Sequence, residues 1–591
     1  MVQAQSTLVL VDITATDEKH NPVHQLSAND FTVLEDGQPQ PLKVFEEHVA
    51  GAPAAFPAGP KLAPGTFTNY SPAPARGALN ILLFDKLNTP LTAQGYVRDQ
   101  VLKYLKEAPP GTRIAIFALT TDLKMLQGFT SDPELLRSMV EGKKNSLNSS
   151  VLMNNAVDGD NPGDDDVAMD AASLAPDAAT IMANLQQFEA EQQSFQWRLR
   201  VIYTLNALND LARYMSNLPG RKNLIWFSGS FPINILPDGD LQNPFTIVDS
   251  ASDEFRQTSD LLSRGQVAVY PIDARGLMVA PMYNASSSGS SMARNPRNFG
   301  NAEAKWSQKT NGEHDTMKEM AEETGGRAFV NTNGLTEAVQ SAIESGSNYY
   351  TVAYSPANEK WDGGFRRIQV KIDKPGVTLA YRRGYYADDP NKPVHGVQAQ
   401  GAQGQSGQAQ NGQPAPPPYN AFHAAMIHGA PDPTQLIFVA AVRPTTADSE
   451  TAPVEGNQLG KDVQGPFRRY TVVFAITPRQ INFATGQDGA HHFGLEFVTL
   501  VYNPNGELVN QQANGVVASI PDAKFADTLK RDIIYRQQIS VPAKGEYYFR
   551  MGMRDRNTDS VGALEIPIGA VAKLQPASAA AAPAGANAKP N

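Results

Sequence analysis

The stretch Asn80-Ile81-Leu82-Leu83-Phe84-Asp85-Lys86-Leu87-Asn88-Thr89 decides how this chain is read. A short apolar run ends on a carboxylate, and a threonine hydroxyl follows four residues later. This pattern predicts a buried strand that runs into a polar loop. In open α/β sheets, ligands sit just outside the carboxyl ends of the strands. A carboxylate and hydroxyls converging at that edge suit a hard divalent cation, which takes oxygen ligands.

Outward from this stretch, residues 78–345 alternate strand and helix patterns. Val97, Val101, Leu102 and Leu105 recur at helical spacing. Arg113–Leu119 predicts a second strand, with a short one near Lys124–Leu126. Ser131 or Asp132 with Pro133 and Glu134 predicts a helix start. Ile202, Leu205, Leu208, Ala212 and Met215 mark one face of a long helix, with Thr204 at its start. Leu224–Phe227 and Val267–Ile272 read as buried strands, and Phe255–Leu262 as the helix between them. Thr316 with Glu319 predicts the start of another helix, Ala328–Val330 a last short strand and Leu335–Ile343 a last helix. Alternation of this kind implies a mostly parallel sheet with helices on both faces. Two segments, 144–195 and 276–312, interrupt it and read as long loops.

The flanks read as β. Leu8–Ala15, Phe31–Leu34 and Leu42–Phe45 precede the α/β unit, the last two around the turn signal Asp36-Gly37. Tyr349–Tyr354, Phe365–Ile372 and Val377–Tyr386 follow it. Neither set alone buries much core. The α/β domain is therefore expected to be inserted in one β-sandwich formed by 7–47 and 348–387. Residues 50–77 and 396–418 read as linkers, the latter a flexible run of Gln, Gly, Ala and Pro. Residues 419–570 predict a C-terminal sandwich of immunoglobulin type, with strands at Leu436–Val442, Tyr470–Ile476, Phe493–Tyr502, Ile533–Val541, Tyr547–Arg554 and Ala563–Ile566. Residues 574–591 read as a disordered Ala/Pro tail. The fold class is multidomain α/β plus β.

Composition narrows the function. At 591 residues the chain is too long for one core. Its net charge of −10 and the lack of a recurring basic stripe argue against nucleic acid. No apolar run reaches the roughly 18 residues of a membrane-spanning helix. With no cysteine, disulfides, thiolate metal sites and cysteine nucleophiles are excluded. The start, Met1-Val2-Gln3-Ala4-Gln5-Ser6, enters a strand at once. This fits a mature form whose signal peptide has been removed, although a plain cytosolic N-terminus is the other reading. The expected location is secreted, periplasmic or cell-envelope.

Residues 78–345 resemble a von Willebrand factor type A domain. Most of residues 7–387 resembles the bacterial, acidobacterial-type branch of proteins related to it. The resemblance is carried by Asn29–Gly37, Asp85–Thr89, Pro110–Phe117, Pro219–Leu224, Ala321–Ala328 and Tyr381–Tyr385. It implies a Rossmann-like sheet whose upper edge holds Mg²⁺ through an Asp-x-Ser-x-Ser loop, a threonine and a later aspartate. Asp85 matches the first ligand and Thr89 the third. Leu87 stands where the middle serine belongs, Thr204 matches the loop threonine, and Ser228 lies where the later aspartate often stands. Asn88 is placed to turn a carbonyl inward. One carboxylate and a few hydroxyls imply a degenerate site, with weak Mg²⁺ affinity or none. The competing reading is that Asp85 and Thr89 cap the following helix and hold the loop.

Other candidates carry less. Asp158–Asp166 has part of a calcium-loop spacing, but Met169 stands at the twelfth position, which needs a glutamate. His491 and His492 point to opposite strand faces, and His423 and His428 have no partner pattern. Ser228-Gly229-Ser230 lacks the flanking glycines of a nucleophile elbow. Paired arginines at 366–367 and 382–383 fit a solvated sheet edge.

The expected function is non-enzymatic protein binding of adhesion type, on a face formed by Asp85, Asn88, Thr89, Thr121, Asp122, Thr204, Ser228 and Ser230, with Asp85 presented outward. One alternative is a structural subunit of a bacterial surface or filamentous assembly. A metal-assisted hydrolase is the other. The expected partner is a protein or other macromolecule, and a homo-oligomer is admitted.

Overall fold

The computed structural model describes residues 8–50, 62–70, 78–141, 176–215, 218, 220–230, 248–280, 283, 296–387 and 420–576, except 447, 462, 487 and 488. The acidic stretch Asp158–Asp166, the 396–418 linker and all but the first residues of the Ala/Pro tail lie outside them. The chain forms two compact units. The first gathers Met1–Ala54, Ala75–Asn209 and Gly220–Ala387, and the second Ala55–Pro74, Asp210–Pro219 and Asp388–Asn591.

In the first unit, β1 (Val9–Thr16), β2 (Phe31–Glu35), β3 (Gln38–Gln40) and β4 (Leu42–His48) precede the α/β body. Asp36 and Gly37 take φ of +48° and +80°, the conformation of a tight two-residue hairpin turn. The hairpin is tighter than the sequence predicts. It closes on β3, while β4 leaves for the opposite sheet. A short β5 (Thr66–Thr68) belongs to the second unit, so residues 50–77 are more than a linker.

The α/β body then runs β6 (Leu79–Asp85), α1 (Leu91–Glu107), β7 (Ile114–Leu119), β8 (Leu123–Thr130), α2 (Pro133–Glu141), α3 (Pro176–Met215), β9 (Lys222–Ser228), α4 (Val248–Arg264), β10 (Val267–Asp273), α5 (Pro296–Thr324) and α6 (Leu335–Ser347). The sheet order is β10-β9-β6-β7-β8. The first four strands are parallel and β8 is antiparallel. All seven residues of both β9 and β10 are buried, as expected of strands covered on two faces. On α1, Val97, Val101, Tyr104 and Leu105 are buried at helical spacing and join the core that Leu82, Ile116, Ile225 and Ile272 form on one side of the sheet.

Four strands follow: β11 (Tyr349–Tyr354), β12 (Phe365–Ile372), β13 (Thr378–Ala380) and β14 (Gly384–Tyr386). They pair with those before the body in two sheets, β13-β1-β11-β4 and β14-β12-β2-β3. Each sheet combines strands from both ends of the unit, alternating in the first and meeting at the β12–β2 pair in the second, and the two share one core, with Val11, Ile13, Val33, Val352 and Ile368 at its centre. Between the sheets, Glu35 is buried and accepts hydrogen bonds from Tyr354 Oη (2.7 Å) and Tyr385 Oη (3.0 Å).

Several sequence expectations change. Helix α3 begins at Pro176, so the second half of the 144–195 interruption is helical, and Thr204 lies late in that helix rather than at its start. Helix α5 begins at Pro296 and absorbs the end of the 276–312 interruption. Thr316 therefore caps nothing: its hydroxyl bonds back to the Gly312 carbonyl at 3.0 Å, the usual resort of a threonine inside a helix. Residues 328–330 form only an isolated bridge, Phe329 to Ile272.

The second unit is a β-sandwich. Its strands after β5 are β15 (Val439–Pro444), β16 (Gln458–Leu459), β17 (Phe467–Ile476), β18 (Ala484–Thr485), β19 (His491–Tyr502), β20 (Leu508–Ile520), β21 (Ile533–Pro542), β22 (Tyr548–Asp555) and β23 (Val561–Pro567), with short helices α7 (Ala421–Ala425) and α8 (Asp522–Thr528). The two sheets run β21-β17-β15-β5 and β16-β20-β19-β22-β23. Leu574 packs against their core, so the tail begins later than the sequence suggests. Strand β20 was not expected: its Gln, Asn, Gly and Ala residues carry little strand signal. Buried Arg550 on β22 donates to the Ala425 and Pro431 carbonyls and to Asp432, which ties the α7 segment to the sheet.

Candidate functional site: a sealed polar floor at the carboxyl edge of the sheet

Three adjacent parallel strands end on polar side chains: Asp85 on β6, Ser228 on β9 and Asp273 on β10. In register, Asp273 stands beside Ser228. The carboxyl edge therefore carries a row of oxygen-bearing groups.

Asp85 is 2% exposed, so the expectation that it faces outward does not hold. Its carboxylate accepts four hydrogen bonds. Oδ1 takes the Asn88 backbone N–H (2.8 Å), and Oδ2 takes Asn88 Nδ2 (2.8 Å), Ser228 Oγ (2.8 Å) and Trp226 Nε1 (3.2 Å). The bond from the N–H three residues on closes the loop in the way a helix-capping aspartate does. Burial pushes the Asp85 carboxyl up, against the pull of Asn88, Ser228 and Arg200.

Asn88 is the centre of the arrangement. Its Nδ2 also donates to Thr204 Oγ1 (2.8 Å), and its Oδ1 accepts from Arg200 Nε (3.0 Å). Arg200 and Thr204 are four residues apart on α3 and share a helix face. Arg200 Nη2 reaches Ser230 Oγ at 2.6 Å. Thr89 Oγ1 accepts the Gly229 N–H at 3.0 Å, stitching the β6 loop to the β9 loop. That approach needs glycine: a Cβ on Gly229 would stand 2.7 Å from Pro90 Cδ and 3.0 Å from the Asn88 carbonyl.

Asp85, Asn88, Thr89, Thr204, Ser228 and Ser230 are thus brought together. Thr121 and Asp122 are not: they lie on the β7–β8 turn, where Thr121 is exposed and bonds Asp122 at 3.3 Å.

The sequence reading missed Arg200 and its neighbours. At the end of β10, Asp273 is 1% exposed. Arg275 clamps it (Nη2 to Oδ2, 2.9 Å) and reaches Glu313 Oε2 (2.6 Å), and His314 Nε2 lies 2.8 Å from Asp273 Oδ2. Burial alone would raise the Asp273 carboxyl, but His314 and Arg275 hold it below the usual range. Burial draws the Arg200 guanidinium down, while Asp85 and Glu313 support its charge. The charges of the second cluster thus act on Arg200 of the first. A signal was present in the sequence: Asp273, like Asp85, ends an apolar strand. Arg200 and Glu313 gave none, since each sits in a long helix whose placement depends on the fold.

The donor set as it stands does not fit a divalent cation. Both Asp85 oxygens are engaged, the Thr89 and Thr204 hydroxyl oxygens already accept N–H bonds, and a guanidinium is positioned beside them. Among the described residues, no group of three His, Asp or Glu side chains is placed to share a metal ion.

Around the floor, apolar side chains are open to solvent. Leu91, at the start of α1, is 62% exposed, and Leu277 and Val279, after β10, are 60% and 64% exposed. Asn333 links the two sides: its carbonyl accepts from Tyr96 Oη on α1, and its Oδ1 accepts the Leu277 N–H.

The sequence matches no family model and no curated protein. Among solved structures, it is similar to an aerotolerance-related membrane protein of Bacteroides fragilis (12% identity, TM-score 0.22, covering 45% of this chain and 98% of that one). It is also similar to BatB of Bacteroides thetaiotaomicron (10%, 0.20, 46% and 98%). The PilB minor pilin of Streptococcus sanguinis is a third (11%, 0.22, 46% and 61%). At these scores the likenesses carry no argument about the site. Among the described residues, no helix is long and apolar enough to cross a membrane.

Proposed function

We propose that this chain is a non-enzymatic protein-binding module of a bacterial cell envelope. Its α/β body acts as a von Willebrand factor type A domain with a degenerate adhesion site, and its second unit serves as an immunoglobulin-like sandwich. A single observation carries the reading: the polar floor is closed by its own hydrogen bonds, while Leu91, just after the β6 loop, and Leu277 and Val279, just after β10, are exposed. Large apolar side chains gathered in the open are candidates for an interaction surface. The partner is held by apolar contact at this rim rather than by a carboxylate bridged through a cation, and the floor keeps the rim loops in place.

The test is capture of partners from an envelope fraction by the immobilised full chain, with and without chelator. Wild type and a chelator-treated sample retain the same partner, and a Leu277→Lys/Val279→Lys double variant loses it. Capture that chelator abolishes and Mg²⁺ restores would overturn the proposal.

A further inference from the structure

The sheet edge at β20 is unlike the other edges of this protein. Strand β20 has 13 residues, the longest among the described elements of its kind. Along one side it pairs with β19 over its whole length. Along the other, among the described residues only Asn510 and Gln511 have a strand partner, β16. Among the described residues, 512–520 (Gln-Ala-Asn-Gly-Val-Val-Ala-Ser-Ile) therefore form a ladder on one side only, and every second backbone N–H and C=O points away from it.

Natural edges are usually blunted by shortness, charge, proline or a covering segment. Here β3, β5, β13 and β14 have three residues each, and β4 carries Lys43, Glu46 and Glu47. Lys124 lies on β8, and β21 carries Arg536 and Pro542. Thr324 and Phe329 bond along β10, and Leu436 along β23. Residues 512–520 have no charge and no proline. Their outward face is Ala513, Gly515, Val517 and Ser519, all exposed, with Val517 at 72%. A Cβ on Gly515 would meet nothing within 4 Å. The facing sheet reaches this segment through Gln537, which bonds Asn514; it makes no such bond beyond that point among the described residues.

We infer that a second copy of this chain pairs here, β20 against β20, antiparallel about a two-fold axis through Val516. The register is set from both ends. Pairing starts at Gln512, because β16 occupies the edge at Asn510 and Gln511. It stops at Ile520, because Pro521 follows and α8 turns the chain away. Antiparallel self-pairing puts Gln512 opposite Ile520 and Gly515 opposite Val517, so the nine positions between the two stops match. Identical neutral segments bring no like charges together, and the small outward residues leave room. The contact is isologous and closes as a dimer. This inference is independent of the rim described above.

The test uses the full chain in analytical ultracentrifugation over a concentration series, with hydrogen exchange. Wild type shows a doubling of mass, and amides within 512–520 gain protection as the dimer fills. Val517→Lys, at an exposed position, keeps the fold by circular dichroism but stays monomeric, since the two lysines become diagonal neighbours across the axis. Val517→Glu alone behaves likewise, and mixing the two variants restores the dimer. A wild type that remains monomeric overturns the inference. So does a dimer indifferent to Val517→Lys, an open ladder of larger species, or protection that appears elsewhere and not at 512–520.

Discussion

Replacing Asp85 by alanine separates a structural floor from an open ligand site. The carboxylate accepts four hydrogen bonds at 2.8–3.2 Å from Asn88, Ser228 and Trp226, and it sits near Arg200 in a region with almost no solvent access. Hydrogen bonds to a charged group contribute about 1.5–3 kcal/mol each by mutation, but they are not additive. Removing one partner of a buried charged network costs about 3–5 kcal/mol, because the remaining groups stay buried and unpaired. Water entering the space left by the carboxylate would recover part of this. The expected loss for Asp85→Ala is therefore about 3–4 kcal/mol. Asp85→Asn, which keeps one acceptor but turns a second into a donor facing donors, is expected to lose about 2 kcal/mol. Urea titration followed by tryptophan fluorescence measures it, with Trp226 bonded directly to Asp85 as the reporter. The transition belongs to the first unit and is analysed as such, since two units need not unfold together. An Asp85→Ala protein as stable as wild type, or more stable, would refute the reasoning. That result is what a poised ligand site gives, where deleting an uncompensated carboxylate relieves strain. Mg²⁺ offers a second readout. A ligand present at 100 times its Kd stabilises by about 2.7 kcal/mol, whereas the wild-type midpoint is expected not to move.

Two further perturbations test the surroundings. Gly229→Ala forces a methyl group to within 2.7 Å of Pro90 and should cost about 1–3 kcal/mol in the same titration; a neutral result would mean that the two loops are not locked. In the second unit, burial pushes the Asp432 carboxyl up to about 6 despite Arg550. The folded state then holds this proton more tightly than the unfolded chain, whose value is near 3.8. The associated stability is full below about pH 4 and is lost as pH rises through about 6. Allowing for the 28% exposure of the side chain, the term is about 1–2 kcal/mol. The wild-type-minus-Asp432→Asn difference in unfolding free energy should fall over that interval, and a flat difference would contradict the shift.

Much of the fold was legible because local pattern and final environment agree. Ile81–Phe84, Leu224–Phe227 and Val267–Ile272 are continuous apolar runs, and in the structure they lie in strands buried on both faces. The Asp36-Gly37 turn declared its hairpin, since few residue pairs accept two positive φ values. Other features misled for physical reasons. Thr316 with Glu319 has the spacing of a capping box, but spacing cannot show whether the helix has already begun. Leu508–Ile520 lacks the apolar alternation of a strand, because its pairing rests on backbone bonds to β19 and its outward face is open. The site divides in the same way. Asp85, Asn88, Thr89, Thr204 and Ser228 could be singled out from strand ends and family resemblance, whereas Arg200, Arg275, Glu313 and His314 could not.

By itself, the sequence determined the buried strands of the α/β body and most of the helices between them, and placed a carboxylate at the end of a central strand. Those are matters of short-range periodicity and of which side chains avoid water. Tertiary structure alone decided what that carboxylate is for. Helix α3 lays Arg200 and Thr204 against Asn88 of the β6 loop, and Trp226 and Ser228, more than a hundred residues on, join Asn88 in taking up the hydrogen-bonding capacity of Asp85 that a metal ion would need. Such convergence depends on long-range packing, which no local pattern encodes.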